Sequence, residues 1–381
     1  MKGIFVKFIG AHRCASMLAI AIWLSGCGAS SSHKNPGKSA SAPAAAATPS
    51  TLPDGCPQNS GFAGDDMCLS PPPGGGGFQL HYGPADYGDP TALAPFLLGP
   101  GQESTDCYYL KTPNTTGVYV GGYQLYLRPG SHHLNVDVNS APSPDGFGTC
   151  QPNDQSPGLL GGLVTPPTLD EKTDPAPENE GLAVLLPANS QAVINFHVIN
   201  AAAKTTLREA WANYFYIDPS EVKGLRGTLF LIGGFGFNID PWTRQTFQYS
   251  CSPSRPVRIL NIAAHMHAHA MRMSVWHVDK AHQTTLVYEA FDWANPLLAR
   301  YDSAHTNDPS DRATQTPGAS SGQLVVTPGE TIQWECDINN TSDNVLTFRN
   351  EVNTGEMCIV SGEVVPADDP MTAAGFQCVV N

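Results

Sequence analysis

The sequence predicts an all-β fold, and three features carry that expectation. Gly (37) and Pro (33) are abundant among 381 residues while charged side chains reach only 14%, a composition that suits many short strands joined by turns. From about Cys56 onward, β-type runs broken by turn residues recur: GVYVGGYQLYLR, HHLNVDV, QAVINFHVI, GTLFLIGGFGFNI, TTLVYEAFDW, LVVTPGETIQWEC and MCIVSGEVV. Period-two alternation is clear in YQLYLR and TIQWEC, the mark of strands with one face buried. The only helix-like stretch is TTLREAWANYF at 205–215, short and weak. With 41% hydrophobic residues the chain can fill two ordinary cores. Two stretches of about 160 residues each, split near IDPSEVKGL, fit two β-sandwiches.

The ends of the chain set its expected compartment. Lys2, Lys7 and Arg13 precede or enter an apolar run from Ala15 to Leu24, and LSGC follows at 24–27; this resembles a bacterial lipobox, with residues 1–26 as the signal peptide and Cys27 as the lipidated residue. The apolar run is too short for a comfortable membrane-spanning helix. Residues 27–55 then read as the lipidated Cys and a flexible linker, being small, polar and proline-containing. The folded part would be an amino-terminal domain at 56–220 and a carboxy-terminal domain at 221–381, held at the bacterial cell envelope by its lipid. The net charge is −14, and removing three basic and no acidic residues with the signal leaves −17, which argues against nucleic acid as a partner. PPPGGGG at 71–77 lacks the following Lys and Ser or Thr of a phosphate cradle and reads as a loop.

Setting aside Cys14 in the signal and Cys27, eight cysteines remain: Cys56, Cys68, Cys107, Cys150, Cys251, Cys336, Cys358 and Cys378. An even number in an exported chain points to disulfides, and the absence of any C-x-x-C pair argues against a cysteine zinc site. Spacing alone leaves the connectivity open.

The 12 histidines are clustered. In AAHMHAHAMRMSVW, residues 263–276, His265 and His267 are two apart, so on a strand they share a face and can chelate one ion; His269 would continue that face. His132 and His133 follow a Pro-Gly turn in RPGSHHLNV. Neighbours on a regular strand point to opposite faces, so both reach one metal only where the strand begins or is distorted. His197 in VINFHVIN by itself reads as a core histidine, and Met357 in GEMCIV as core filling.

Taken together, in order and spacing, these residues resemble the copper type II, ascorbate-dependent monooxygenases, the family of peptidylglycine alpha-hydroxylating monooxygenase and dopamine beta-monooxygenase. That family carries an adjacent His-His pair and a later strand His in its first domain, then an H-x-H and a Met-Cys pair in its second. Here those positions are His132, His133 and His197, then His265, His267 and Met357 with Cys358; the 64-residue gap from His133 to His197 and the 22 from Cys336 to Cys358 fit. The resemblance covers roughly residues 56–381. It implies two tandem jelly-roll-like antiparallel β-sandwiches, each with a copper site, facing across a cleft. It also implies the disulfides Cys107–Cys150, Cys336–Cys358 and Cys251–Cys378, leaving Cys56–Cys68 to pair locally.

The implied activity is hydroxylation of an aliphatic C–H bond of a small-molecule or peptide substrate. Two copper ions, O2 and ascorbate or another reductant would take part, and His265, His267 and Met357 would form the catalytic set. Thioether sulfur favours Cu(I) over zinc. His269 reads as supporting or reserve ligand, and Met271 and Met273, on the same strand face, as core. Peptide-amidating members hold a substrate carboxylate with Arg, Asn and Tyr where this chain has Ala263, Ile359 and Ser361, so glycine-extended peptides fit poorly. Residues 302–320 read as an inserted loop. Two other readings are a copper-binding or redox lipoprotein without turnover and a zinc hydrolase using His132, His133 and His197 alone.

Overall fold

Alternating apolar residues in short segments need a partner sheet to bury their apolar face, and the chain supplies several. A computed structural model of the protein describes Cys56 and residues 59–139, 143–150, 159–164, 168–170, 176–233, 236–294, 296, 298–304, 322–367 and 376–379. The expected signal peptide, the expected lipidation position Cys27 and the expected linker to residue 55 lie outside the described residues, as does most of the expected 302–320 loop. The fold is all-β. Among the described residues the one α-helix is the four-residue Pro90–Leu93, and no helix is long and apolar enough to cross a membrane.

Two sheets build the amino-terminal half. One runs in the order Gly77–Tyr82, Ala210–Ile217, Val118–Leu127, Leu182–Leu186, Gly224–Leu225, with Thr168–Asp170 also on Val118–Leu127. The other runs Gly146–Gly148, Glu103–Lys111, Gln191–Ile199, Ser131–Asn139, Leu159–Val164. Both contribute to one core: Phe78, Leu80, Leu125 and Tyr214 from the first, Leu134, Val136, Ile194 and Phe196 from the second. Phe78 stacks on Tyr214 at 5.0 Å.

The carboxy-terminal half repeats the plan around a separate core. Gly227–Gly233, Cys358–Val365, Val257–His265 and Leu298–Arg300 form one sheet, to which Leu324–Val326 also pairs; Thr284–Ala290, Ala270–Val278, Thr331–Asn339, Arg244–Pro253 and Phe376–Val379 form the other. Leu229, Ile262 and Val360 meet Met273, Val275 and Trp334 between them.

The weakly helix-like stretch at 205–215 forms no helix. Thr206–Leu207 and Ala210–Ile217 are strands, and the second is paired on both sides, to Gly77–Tyr82 and to Val118–Leu127. Its residues from Ala210 to Tyr214 are all buried, so the period-two signal is lost, as happens in strands covered on both faces.

Three disulfides are present among the described residues: Cys56–Cys68, Cys107–Cys150 and Cys336–Cys358. Cys251 is disulfide-bonded and stands opposite Cys378 in the ladder of Arg244–Pro253 with Phe376–Val379. Bridges in this number belong to chains that mature in an oxidising compartment.

Candidate metal centre

The core-facing pattern of each strand leaves its other face free for polar groups. On Gln191–Ile199, Ile194, Phe196 and Val198 enter the core; Asn195 and His197 therefore lie on the opposite face. On Ser131–Asn139, Leu134 and Val136 enter the core, which puts His133 beside His197, its direct register partner. The ladder slips at this point: His197 pairs with His133, but Val198 pairs with Ser131. His132 is thus the extra residue of a β-bulge, the device that turns a side chain out of strict alternation. This bulge is the distortion that lets adjacent histidines serve one site, and His132 and His133 lie 5.5 Å apart with His197 5.1 Å from each (ring centroids).

The carboxy-terminal half presents a matching face. Ile259, Ile262 and Ala264 enter its core, so His265 at the end of Val257–His265 points the other way. The strand stops there, and 266–269 is a turn into Ala270–Val278. His267 remains with His265, ring centroids 5.5 Å apart. His269 does not continue the face; its ring contacts the Asn353 carbonyl at 3.1 Å, and it belongs to neither histidine set. Met273 is core, but Met271 falls at a second ladder slip and is 43% exposed. Met357 is buried yet belongs to neither core cluster. Ala263 pairs with Ser361 and His265 with Ile359, where the ladder ends; beyond it, Glu356 Oε1 accepts the backbone N–H groups of both His267 and Met357.

The two faces meet. His132, His133 and His197 form one set whose donor nitrogens lie within 4.8 Å of one another, and His132, His265 and His267 form a second. Across the halves, His133 and His265 are 4.8 Å apart, His132 and His265 5.7 Å, His197 and His267 6.4 Å. The histidines expected on two sites facing across a cleft thus stand close together, ring to ring, across the two halves. Trp293 covers His132 at 5.5 Å. All five histidines are 7% exposed or less.

Each ring has a buried nitrogen with no hydrogen-bond partner: Nε2 of His132 and His265, Nδ1 of His133 and His197, and His267. Leaving so many polar atoms unpaired costs roughly 1–3 kcal/mol apiece, and proteins accept that where a ligand completes the site. In two of the rings the other nitrogen is fixed. His197 Nε2 pairs with Glu103 Oε1 at 2.8 Å, and His133 Nε2 with Asn195 Oδ1 at 3.3 Å, the oxygen-partner arrangement that orients metal-binding imidazoles. Burial, followed by repulsion from neighbouring histidines, holds His132, His197 and His265 well below the usual imidazole range. Burial brings His133 to about 4 and His267 to about 3. Neutral imidazole is the ligand form.

Glu103, Asn195, Trp293 and Glu356 escape a reading of the sequence. Glu356 is fully buried and accepts backbone N–H groups from His267 at 2.6 Å, Met357 at 2.8 Å and His269 at 3.2 Å, tying the H-x-H turn to the Met-Cys segment. Burial pushes its carboxyl up to about 7. Only its place next to Met357 hints at this role. No protein-family model matches the chain, and no curated protein matches it.

Proposed function

We propose that the protein is a copper-dependent monooxygenase of the ascorbate-using type, built as two tandem jelly-roll-like sandwiches and lipid-anchored through Cys27 at the cell envelope. The observation that carries this reading is the convergence of five buried imidazoles with unpaired nitrogens; Met357, buried outside the cores, is tied through Glu356 to the backbone of His267. His132, His133 and His197 would hold one ion and His265, His267 and Met357 another. The mixed nitrogen and thioether set suits copper rather than zinc. Copper held in these sites would supply one-electron redox chemistry with a donor such as ascorbate and the use of O2 to hydroxylate an aliphatic C–H bond.

The residues of the chain do the rest. Glu103 and Asn195 orient His197 and His133, Glu356 fixes the turn that carries His267, and the enclosure by Trp293 keeps bulk water from the rings. Ser361 Oγ is engaged with the Ala263 carbonyl at 3.2 Å, and Ile359 is buried. Those positions offer no cation to a carboxylate, which favours a neutral organic substrate.

The test is anaerobic ascorbate reduction of the copper-loaded protein, then O2 uptake and product analysis over a panel of C–H substrates. Met357→Ala and His265→Ala should abolish hydroxylation; variants that match the parent would end the enzyme reading. The near-complete enclosure of the histidines favours a second reading, a copper-binding or redox lipoprotein without turnover. It predicts bound copper with no substrate-dependent O2 uptake in the same assay.

A further inference from the structure

We infer that His132 is a shared ligand, completing a three-imidazole set with His265 and His267 as well as the set with His133 and His197, so that an ion at the carboxy-terminal pair is held by both halves. The inference rests on the copper reading above and reassigns one ligand within it. Its ground is geometric: the donor nitrogens of His132, His265 and His267 satisfy the same 4.8 Å limit as those of the amino-terminal set. An imidazole nitrogen sits about 2 Å from a bound metal, so nitrogens this close reach a common ion with small ring movements.

The closure that makes this set is built from several contacts. Trp293, from the carboxy-terminal half, packs on His132. Glu103, from the amino-terminal half, accepts the Val352 N–H at 3.0 Å with the same Oε1 that holds His197. The Val352 carbonyl in turn accepts the N–H of Ala268, inside the H-x-H turn, at 3.3 Å. One carboxylate oxygen thus links a ligand of the first set, through one residue, to the turn that bears the second. Because a single nitrogen lone pair serves one ion, the two sets compete for His132, and binding at either is felt at the other.

The decisive background is His133→Ala/His197→Ala, which removes the amino-terminal set but leaves His132. Cu(I) affinity is measured anaerobically by competition with a chromophoric chelator, with circular dichroism to confirm the fold. Adding His132→Ala to that background should weaken the remaining ion at least tenfold, as loss of a direct ligand must exceed or equal loss of its supporting partner. Unchanged affinity would assign that ion to the carboxy-terminal half alone and overturn the inference. The parent gives a check that needs no variant: Cu(II) loading followed by electron paramagnetic resonance should show one ion or a magnetically coupled pair. Two isolated spins overturn the shared ligand while leaving the copper reading intact; a parent that binds no copper removes both.

Discussion

At the residue scale, a metal ligand is recognised by what its second nitrogen does. His197 has one nitrogen on Glu103 and the other unpaired. Glu103→Gln keeps an acceptor for both donors but removes the charge that raises the basicity of His197, so copper affinity should fall by roughly 10–100-fold. Chelator competition reads this directly, and an unchanged affinity would make Glu103 a plain structural contact. The same histidines set the pH response of the metal-free protein. His133 falls from 6.5 in the unfolded chain to about 4 in the folded one. Between those values the unfolded state binds more protons, so stability drops as pH falls, by about 3 kcal/mol for this residue once pH 4 is reached. Glu356 opposes it: raised from 4.5 to about 7, its stabilisation is full below pH 4.5 and lost as pH rises through 7. One such carboxyl offsets about one histidine, and the other four rings are also lowered. Denaturant unfolding at pH 7 and pH 5 should therefore show the metal-free protein less stable at pH 5. His132, His133, His265 and His267 stand out by spacing visible in one dimension, whereas His197 and Met357 enter the proposed set only through the family resemblance; Glu103 and Asn195 were not legible, since only strand register brings them to the rings.

At the scale of elements, the strands were legible where one face stays free and obscure where both are covered. YQLYLR shows its alternation, whereas Ala210–Ile217, central in its sheet, imitates a helix. Bulges were illegible except by chemistry: nothing in RPGSHHLNV but the two adjacent histidines demands the slip opposite His197. The disulfides gain meaning from the same elements. Cys336 lies mid-strand in Thr331–Asn339, in the sheet facing the one that holds the strand Cys358–Val365, and the bridge between them fixes the backbone next to Met357. Closing a 22-residue separation stabilises by roughly 3 kcal/mol on chain-entropy grounds. Cys336→Ser/Cys358→Ser should lower the thermal midpoint accordingly and, by loosening Met357, weaken Cu(I) binding. A variant that melts early yet binds Cu(I) as the parent does would remove Met357 from the ligand set.

At the scale of the whole molecule, the meeting of the two halves was beyond the sequence, because it depends on packing between segments more than a hundred residues apart. The strand Val257–His265 shows how it is secured. Its far end carries His265 into the pocket; near its start, Arg258 donates to Asn179 Oδ1 at 2.7 Å and to the Glu178 carbonyl at 3.2 Å, both in the amino-terminal half. The Glu178 carboxylate also receives the N–H and hydroxyl of Ser303. His265 lies seven strand positions beyond Arg258, roughly 23 Å at strand rise, so Arg258 touches the histidines only through the closure it supports. Hydrogen bonds from a charged donor are worth roughly 1.5–3 kcal/mol each, and 1.4 kcal/mol is a tenfold change in binding. Arg258→Ala should thus weaken copper binding about tenfold if ions are held by imidazoles from both halves, with the circular dichroism of the metal-free protein unchanged. Measured beside it, His133→Ala/His197→Ala should respond to Arg258→Ala at least as strongly, since its remaining ion depends wholly on closure. Full parental affinity in Arg258→Ala would mean that each half keeps its own ion, however close the rings stand.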